Sequence, residues 1–553
     1  MTKRMRPEAI EVLGFDVHKP QAMGPYEGAD RLNKKIVTWQ PARRSADSEI
    51  QEAKPLSDAR ARDAYRNDAY MMGGLNFSRD SIVGSMYLLN SKPNHLVLGL
   101  DEVWAEEFST EVEAKFMLWA ESTANWPDAA RKNTVTGLVR LAIGIYGVAG
   151  EFMAMVQWLR DGGVQRPFHT AIQIIDLDRV CNPYGKMNDK YLRNGVVIND
   201  FDAPQGYWIR DGHPSDYYSN SWQWTYAPAT KPWGRQQVIH IAETARPDQS
   251  RGISDLVTAL KEHKMTREFR DLVLQNAAVN SLYAATVESE LPTDAVLSMI
   301  GGGSQTPEDA VFQYGTGYLN TINEYAGSAK NLLLDGVKIP HLFPGTKLNL
   351  QPAGKGGPLG TDFENSLLRY MSAALGISYE EFSNDYSKSN YSSIRAAMQK
   401  TWKTMMVRKR MIADRFANHI FMLWLEEAMN SGEITSLSKS SPSFYDGLNK
   451  EAYGACEWVG AARGQIDELK ETQAAVLRLR EGLSTREEEL GRLGKDWRKV
   501  MAQTKREMEE MKRLGIEPAG ASNTTNALAG ANNPDAAKPD GSDDATTDNK
   551  NEE

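Results

Sequence analysis

Apolar and polar positions follow a helical period over one long stretch of the chain, from residue 392 to about residue 429. Residues three, four or seven positions apart share one face of an α-helix. The apolar residues that recur at these steps are Ile394, Met398, Trp402, Met405, Ile412, Phe416, Ile420 and Leu423. At 1.5 Å rise per residue such a helix would be about 57 Å long. The pattern therefore predicts one long amphipathic helix, whose apolar face is interrupted at Lys409.

The positions before this helix predict a shorter helix and a polar break. The shorter helix runs from Asp362 to about Phe382, and the break from Ser383 to Tyr391. Cationic residues dominate the side of the long helix opposite its apolar face, with further cations on the flank: Lys400, Lys403 and Arg410, then Arg408 and Arg415.

Residues 1–55 show little periodicity and are rich in proline, glycine and charge, which predicts an extended, partly disordered arm. The following region, to residue 253, mixes both periods. Amphipathic helices are expected at 108–123 and 134–146, with a buried strand at 81–89 bent at Gly84. Further strands are predicted at 152–158, 171–177, 195–199, 206–209 and 237–241. The Tyr- and Trp-rich insertion at 214–233 is interpreted as a packed surface loop, with an aromatic ligand-binding patch as the alternative.

The remaining segments alternate between helical and irregular patterns. A helix capped by Ser254 is followed by a glycine-rich subdomain at 285–352, with short strands at 337–342 and 346–351. A strand at Glu457–Val459 precedes a charged helical region, 465–514. Thr485 and Glu488 match a capping box, so one helix ends near Gly482 and another begins there. Residues 515–553 have the composition of a disordered tail.

Composition excludes several classes of protein. The chain has 553 residues and a net charge of −9, so it is long enough for several domains and is not a basic nucleic-acid binder. Two distant cysteines and eight scattered histidines show no metal-ligand spacing. No secretory signal or membrane-spanning run is apparent, so we expect a soluble protein in a reducing compartment.

No catalytic motif stands out in the chain. A phosphate-binding loop, a nucleophile elbow and a zinc-binding His pair are all missing from the sequence. Asp176 and Asp178 are interpreted as a solvated face rather than as metal ligands. We therefore expect no cofactor and no enzymatic activity, and favour a structural role in an assembly.

Three separated motifs carry a resemblance to a known family. The first contains Arg62, Asp63, Arg66 and Asn67. The second runs from Val238-Ile239-His240-Ile241 to Arg251, Gly252 and Ser254. The third contains Trp458, Gly460, Asp467 and Lys470 and continues through Gly482-Leu483-Ser484-Thr485. Their order and spacing resemble the lambda-like portal proteins of tailed bacteriophages, although Glu468 stands where portals often have proline.

The resemblance implies an α+β, multidomain portal fold that assembles into a ring, normally of twelve subunits, at one capsid vertex. It assigns residues 56–253 to an α/β wing, 254–284 and 361–383 to two stem helices, and 285–352 to a small α/β clip. It further assigns 384–391 to a tunnel loop, 392–431 to the wing-spanning helix, 432–464 to a return to the wing, and 465–514 to a helical crown. The tunnel-loop residues that could contact DNA are Asn384, Tyr386, Lys388, Asn390 and Tyr391; hydrogen bonds between subunits are an equal alternative for each.

The same resemblance implies the partners and the location. Double-stranded DNA would pass through the ring during packaging and ejection, and an acidic wall would keep it from binding tightly. The large terminase, a head-completion or adaptor protein, and capsid and scaffold proteins would bind outside the channel. The protein would be assembled in the host cytoplasm and become part of the virion. The cationic side of the long helix is expected to face acidic surfaces of neighbouring subunits rather than DNA.

Two other classes remain open from the sequence. One is a different phage structural protein, from a tail or baseplate, and the other is an α/β enzyme whose active site is not evident. A ring of about twelve copies would distinguish the portal from both.

Overall fold

The computed structural model of this chain describes residues 27–29, 34–160, 166–217, 221–282, 320, 332–334, 337–339, 361–438, 441–464 and 467–516. Helices and antiparallel strands are both present, which confirms the predicted mixed α and β architecture. The α-helices in chain order are α1 Ala46–Asn67, α2 Ala69–Ile82, α3 His95–Leu98, α4 Glu102–Ala120, α5 Val135–Ala149, α6 Leu260–Leu282, α7 Thr361–Leu375, α8 Tyr379–Ser383, α9 Tyr391–Arg408, α10 Arg415–Asn430, α11 Asn449–Tyr453, α12 Glu468–Arg480, α13 Arg486–Arg492 and α14 Trp497–Leu514. The strands are β1 Leu88–Ser91, β2 Glu151–Trp158, β3 Thr170–Ile175, β4 Leu192–Arg193, β5 Val196–Ile198, β6 Pro204–Arg210, β7 Trp224–Pro228, β8 Val238–Ala242, β9 Leu332–Leu334, β10 Val337–Ile339 and β11 Cys456–Val459.

The strands form small antiparallel sheets. One sheet has the order β3-β2-β8 and another has the order β4-β5-β6-β7. β9 pairs with β10, and β1 pairs with β11, with Leu88 opposite Val459. Because β1 and β11 lie far apart in sequence, this last pair ties the C-terminal part of the chain to its N-terminal part.

The main hydrophobic core forms around α10. Trp424 is fully buried, and its ring lies 5.2 Å from that of Phe116 on α4. Phe416 lies 4.7 Å from Phe152 on β2, again edge to face. Edge-to-face aromatic pairs of this kind add to the free energy gained by burial. α10 is therefore the helix against which α4 and the β3-β2-β8 sheet pack.

The predicted long helix is confirmed and has an irregular turn inside it. α9 and α10 join through a π-helical segment, Lys409–Asp414, so the helix is continuous from Tyr391 to Asn430. The π segment begins at Lys409, the charged residue that interrupts the apolar face in the sequence. Within α9 only Thr401 and Met405 are buried, whereas most of α10 is buried.

The shorter helix before it is broken in two, which the sequence pattern does not predict. α7 ends at Leu375, and Gly376 adopts a left-handed conformation with φ of +68°. Ser378 then caps α8 by accepting a hydrogen bond from the Glu381 N–H at 3.3 Å. A Cβ atom at Gly376 would lie 2.8 Å from the Thr404 side chain, so α7 and α9 approach closely at this point.

The predicted strand at 81–89 is mostly wrong. α2 continues to Ile82, Gly84 turns the chain with φ of +70°, and the strand begins only at Leu88. The β-branched Ile82 and Val83 suggested a strand, but both are fully buried at the end of α2. Tertiary burial outweighs their intrinsic preference here.

The insertion at 214–233 is also more ordered than predicted. It contains β7, which pairs with β6 in a register that runs from Arg210 opposite Trp224 to Gly206 opposite Pro228. Trp208 and Tyr226 form a cross-strand pair with ring centroids 5.3 Å apart. Its aromatic residues thus extend a sheet, and the surface-loop interpretation is wrong for this strand.

One predicted boundary shifts, and one predicted helical region contains an additional break. α1 begins at Ala46, capped by Ser45, so the helical region starts inside the segment assigned to the N-terminal arm. The region 465–514 contains the predicted break, with the Thr485 and Glu488 capping box, and a further break before α14. Most of the predicted clip, including 346–351, and the tail from residue 517 lie outside the described residues, although β10 falls within the predicted strand at 337–342.

Candidate functional site

The polar segment between α8 and α9 has a cap at each end. Asn384 ends α8 in the left-handed conformation with φ of 55°, which asparagine adopts more readily than most residues. Asn390 Oδ1 accepts a hydrogen bond from the Ser393 N–H at 2.9 Å, and the Asn390 N–H donates to Ser393 Oγ at 3.0 Å. This reciprocal pair is a capping box, so the segment is a turn with defined ends.

Asp385 organises the interior of this turn. One of its carboxylate oxygens accepts hydrogen bonds from the Ser387 hydroxyl at 2.6 Å and from the Ser387 N–H at 3.0 Å. The Tyr379 hydroxyl donates to the other oxygen at 3.4 Å. The hydrogen bonds from Ser387 lower the pKa of the Asp385 carboxyl, because they stabilise its ionised form. Asp385 therefore carries a negative charge at neutral pH.

The five predicted channel residues all lie exposed on this turn: Asn384, Tyr386, Lys388, Asn390 and Tyr391. The Lys388 ammonium is 3.4 Å from the Asp362 carboxylate, and both side chains are exposed. Such a surface pair contributes little to stability, so Lys388 is free to exchange partners. The exposed hydroxyl, amide and ammonium groups of these side chains can form short-lived hydrogen bonds with a polar polymer.

The second sequence motif converges on a buried carboxylate, Glu151. Arg251 Nε donates to Glu151 Oε1 at 2.7 Å, and the Gly252 N–H donates to Oε2 at 2.6 Å. His240 Nε2 is 3.0 Å from Oε2, and Lys54 Nζ is 3.2 Å from Oε1. These contacts join α1, β2, β8 and the segment before α6, so Arg251 and Gly252 have a structural role.

The charges in this cluster depend on one another. Burial by itself raises the pKa of Glu151, but the nearby Arg251, Lys54 and His240 hold that pKa well below its usual range. Asp58 lies 3.1 Å from Lys54, and burial raises its pKa. Removing one partner from a buried ion pair leaves the other charge uncompensated, at a cost of about 3–5 kcal/mol.

The first motif supplies an ion pair at the surface of the same region. Both terminal nitrogens of Arg62 donate to the two Asp178 oxygens, at 2.6 and 2.5 Å. Asp63 accepts a hydrogen bond from Asn67 Nδ2 at 2.6 Å, and Arg66 is exposed. The solvated-face prediction is confirmed for Asp176, which is exposed, and is wrong for Asp178.

Asp178 also belongs to the one described group with metal-ligand proximity. Asp176, Asp178 and His213 each offer a ligand atom, and these atoms lie within 4.8 Å of one another. Arg62 already engages both oxygens of Asp178. The ion pair between Arg62 and Asp178 therefore explains why these side chains lie close together.

The third motif meets the irregular turn of the long helix. Lys409 Nζ donates to the Trp458 carbonyl at 2.8 Å and lies 2.7 Å from Asp414 Oδ1. The Tyr87 hydroxyl also donates to Asp414, and the Tyr87 ring stacks on Trp458 with centroids 5.5 Å apart. The π segment thus places the Lys409 ammonium against the Trp458 carbonyl. This hydrogen bond connects the long helix to the β1-β11 pair.

Two further motif residues have local roles. Gly460 passes so close to α2 that a Cβ atom there would lie 2.4 Å from the Ile82 carbonyl oxygen. Asp467 caps α12 by accepting from the Lys470 N–H at 3.1 Å, and its other oxygen lies 2.9 Å from Lys470 Nζ.

Sequence reasoning missed the acidic centres of these clusters, Glu151 and Asp414, together with Lys54. The interruption of the apolar face at Lys409 was the one available signal for the second cluster.

Among the helices that the structure describes, none is long and apolar enough to cross a lipid bilayer.

Comparison with known proteins gives a consistent result over most of the chain. The family model described as phage portal protein, lambda family, matches residues 33–409. The chain is 35% identical to portal protein B of Escherichia phage lambda over 500 residues, covering 90% of this chain and 91% of the relative. It is likewise 35% identical to the portal protein of Escherichia phage N15, covering 90% of this chain and 92% of that one.

More distant similarities were also found. A probable portal protein of Halomonas phage phiHAP-1 is 23% identical over 83% of this chain and 80% of the relative. A chain from the neck of an empty gene transfer agent particle aligns with 12% identity and a TM-score of 0.37, over 83% of this chain and 96% of that chain.

Proposed function

The chain belongs to the lambda family of phage portal proteins, and from this premise we propose how its described parts form a DNA channel. Membership follows from the family match over residues 33–409 and from the 35% identity to the lambda relative. The chain is accordingly a structural protein of the phage particle and not an enzyme, which removes the enzyme alternative. The match to portal proteins also removes the tail and baseplate alternative.

The proposed assembly is a ring of twelve copies at one capsid vertex, through which double-stranded DNA enters and leaves. A closed ring uses two different faces of each subunit, so it needs complementary surfaces on opposite sides of the chain. The net charge of −9 per chain supports a channel that repels DNA on average, because each phosphate contact would slow sliding.

Within that ring, the turn at 384–391 is the proposed tunnel loop. Its support is the exposed set of polar side chains between two capped helix ends. The negative charge of Asp385 beside the exposed Lys388 would favour short contacts with phosphates over stable ones. α6, α7 and α8 would form the stem, and α9 with α10 would run outward through the wing.

The remaining proposed regions interact with other proteins. α12, α13 and α14 would form the crown inside the head. The clip would bind the large terminase during packaging and a head-completion or adaptor protein afterwards, whereas the wing would face capsid and scaffold proteins. Assembly would take place in the host cytoplasm. The exposed Lys400, Lys403 and Arg410 would face acidic surfaces of neighbouring subunits.

A triple substitution tests the tunnel loop without disturbing its caps. Tyr386→Ser, Lys388→Ser and Tyr391→Ser remove the exposed side chains but keep Asp385 and Asn390. We expect rings of normal mass and a reduced amount of DNA per particle, measured by quantitative PCR of nuclease-protected genomes in a complementation assay.

The matched control is Arg60→Ser with Arg66→Ser, which removes exposed cations on α1. Normal DNA content in the loop variant, together with normal rings, would contradict the tunnel-loop assignment. Equal losses in both variants would show that the effect is not specific to the loop.

A further inference from the structure

The outer side of the β4-β5-β6-β7 sheet is aromatic. An antiparallel sheet that packs one side on a core commonly carries polar residues on the side that meets water. The inner side of this sheet contributes Tyr207, Ile209 and Ala227 to a hydrophobic cluster. The outer side carries Trp208 on β6 and Tyr226 on β7, whose ring centroids lie 5.3 Å apart. The outer side is therefore apolar where a solvated sheet would be polar.

These aromatic side chains are held in place and remain open to solvent. Tyr226 is 42% exposed and Trp222 is 62% exposed. A Cβ atom at Gly206 would lie 2.3 Å from the Tyr226 hydroxyl, so the tyrosine lies across the glycine of β6. The Arg210 guanidinium lies 4.3 Å from the centroid of the Trp222 ring. Trp208, Trp222 and Tyr226 together form what we call the aromatic face, a surface of the kind that is enriched in protein interfaces.

An exposed basic segment precedes α1. Residues 37–45 are all exposed, and Trp39 is 72% exposed. Residues 34–44, which we call the basic segment, contain no carboxylate and four cations: Lys34, Lys35, Arg43 and Arg44. A basic segment with a tryptophan at its centre is suited to a site that combines aromatic rings with acidic groups.

The loop that follows β6 supplies the acidic groups next to the aromatic face. Asp211 and Asp216 are both exposed. The Thr225 hydroxyl donates to Asp211 at 2.8 Å, and the Ser215 hydroxyl donates to Asp216 at 3.4 Å. Within the described part of the chain, neither carboxylate forms an ion pair. The aromatic face and the basic segment are therefore complementary in charge as well as in apolar character.

The two surfaces belong to opposite edges of one sheet. The basic segment leads into α1, where Asp47 lies 3.3 Å from Arg193 on the edge strand β4. Tyr226 lies on β7, which is the edge strand on the other side. Trp39 precedes Asp47 by eight residues, and eight extended residues span at most about 29 Å. The basic segment can therefore reach only a copy that lies directly beside this chain.

We propose that the basic segment of one copy packs on the aromatic face of the next copy, with Trp39 against Trp208 and Tyr226 of the partner subunit. This proposal rests on the ring stated under the proposed function. The contact is heterologous, because each copy offers its basic segment at one edge and its aromatic face at the other. The same contact can therefore repeat from copy to copy around a closed ring.

Exposure and charge both favour a second copy as the partner. Within one copy the basic segment does not cover the aromatic face, because Trp39 and Tyr226 both remain exposed there. In the contact between copies, the cations on either side of Trp39 would approach Asp211 and Asp216 of the partner subunit. Such complementary charges guide two surfaces into one register and disfavour wrong partners.

A photo-cross-linking amino acid at position 39 tests this contact in full-length rings. We replace Trp39 with p-benzoylphenylalanine, which keeps an aromatic side chain at that position. We expect irradiation to give a ladder of covalent multimers on a denaturing gel. Mass spectrometry of the digested multimers should then place the cross-links between position 39 and residues 204–228.

The same replacement at Leu96 is the matched control, because this side chain is 81% exposed on α3 and has no part in the contact. It should give no cross-link to residues 204–228. Rings of normal mass that give no ladder from position 39, or a ladder cross-linked to other residues, would overturn the contact and leave the portal assignment intact. The absence of rings in the unsubstituted protein would overturn both the contact and the proposed ring.

Paired substitutions test the contact without a cross-linker. Trp39→Ser and Tyr226→Ser should each lower the urea concentration at which rings dissociate, measured by analytical ultracentrifugation. Because both substitutions remove the same contact, the double variant should lose much less than the sum of the two single losses. Leu96→Ser is the control and should leave ring dissociation unchanged. Additive losses in the double variant would contradict a direct contact.

Discussion

Arg251 shows most clearly how one side chain holds distant segments together. Its guanidinium donates to Glu151 and to the carbonyl oxygens of Val180, Asn194 and Leu177. Glu151 is fully buried, so its charge must be compensated inside the protein. The motif around Arg251 thus reflects a requirement of the fold rather than a catalytic role.

Substituting Arg251 should therefore destabilise the protein strongly. Arg251→Met leaves Glu151 with too few partners, and we expect a loss of about 3–5 kcal/mol in the free energy of unfolding. Urea unfolding followed by tryptophan fluorescence measures this loss. Arg66→Met, at an exposed position, is the control and should change stability by no more than about 0.5 kcal/mol. Equal unfolding midpoints for the two variants would contradict the role of the cluster.

Glu113 gives a prediction about pH. It accepts hydrogen bonds from the Ser91 N–H and from Arg498, both at 2.7 Å. Burial raises the pKa of its carboxyl to about 7 from the usual 4.5, although Arg498 opposes the shift and Asp496 and Glu106 add to it. The folded protein therefore binds this proton more tightly than the unfolded chain does. Its contribution to stability is present at low pH and decreases as the pH rises from about 4.5 to about 7.

Glu113→Gln removes this titration and keeps an acceptor for the Ser91 N–H. We expect the unfolding midpoint of the unsubstituted protein to fall relative to that of the variant between pH 5 and 7, and the difference to stay constant above pH 8. The measurement is a series of urea melts at fixed ionic strength. A difference that does not change with pH would show that Glu113 does not titrate in this range.

At the scale of single elements, the long helix from Tyr391 to Asn430 links the exposed turn to the core. Its first part is exposed next to the turn, and its last part lies at the centre of the core. The π segment lies between these parts, where Lys409 binds Asp414 and the Trp458 carbonyl. π-helical turns are rare and occur often at functional positions.

Lys409 should be necessary for the docking of β11 on this helix. Lys409→Met leaves Asp414 without its ammonium partner, and we expect a lower melting temperature, by several degrees. Gln399→Met, at an exposed position on the same helix, is the control and should leave the melting temperature nearly unchanged. Differential scanning calorimetry distinguishes them, and equal melting temperatures would contradict the proposed role of Lys409.

The sequence predicted those elements whose periodicity is long. The helix at 392–429 follows from an apolar face that persists over many turns, and the Thr485 capping box follows from local hydrogen bonding. The strand predicted at 81–89 failed because Ile82 and Val83 pack at the end of a helix, which short-range preference does not reveal. The Glu151 cluster was not predictable, because its members come from segments about one hundred residues apart.

At the scale of the whole molecule, the described parts divide between a packed core and exposed helices. α10, α4 and the β3-β2-β8 sheet enclose the large aromatic residues of the core, whereas no residue of α12, α13 or α14 is fully buried. The five loop residues lie together on one exposed turn, as the proposed tunnel loop requires.

Imaging and weighing the purified full-length protein tests the central claim most directly. Native mass spectrometry combined with negative-stain microscopy gives both the number of copies and the presence of a central channel. We expect closed rings with a mass of about twelve times that of the 61.7 kDa chain and a channel wide enough for a DNA duplex. A protein that remains monomeric under all assembly conditions, or that forms rings without an open channel, would contradict it.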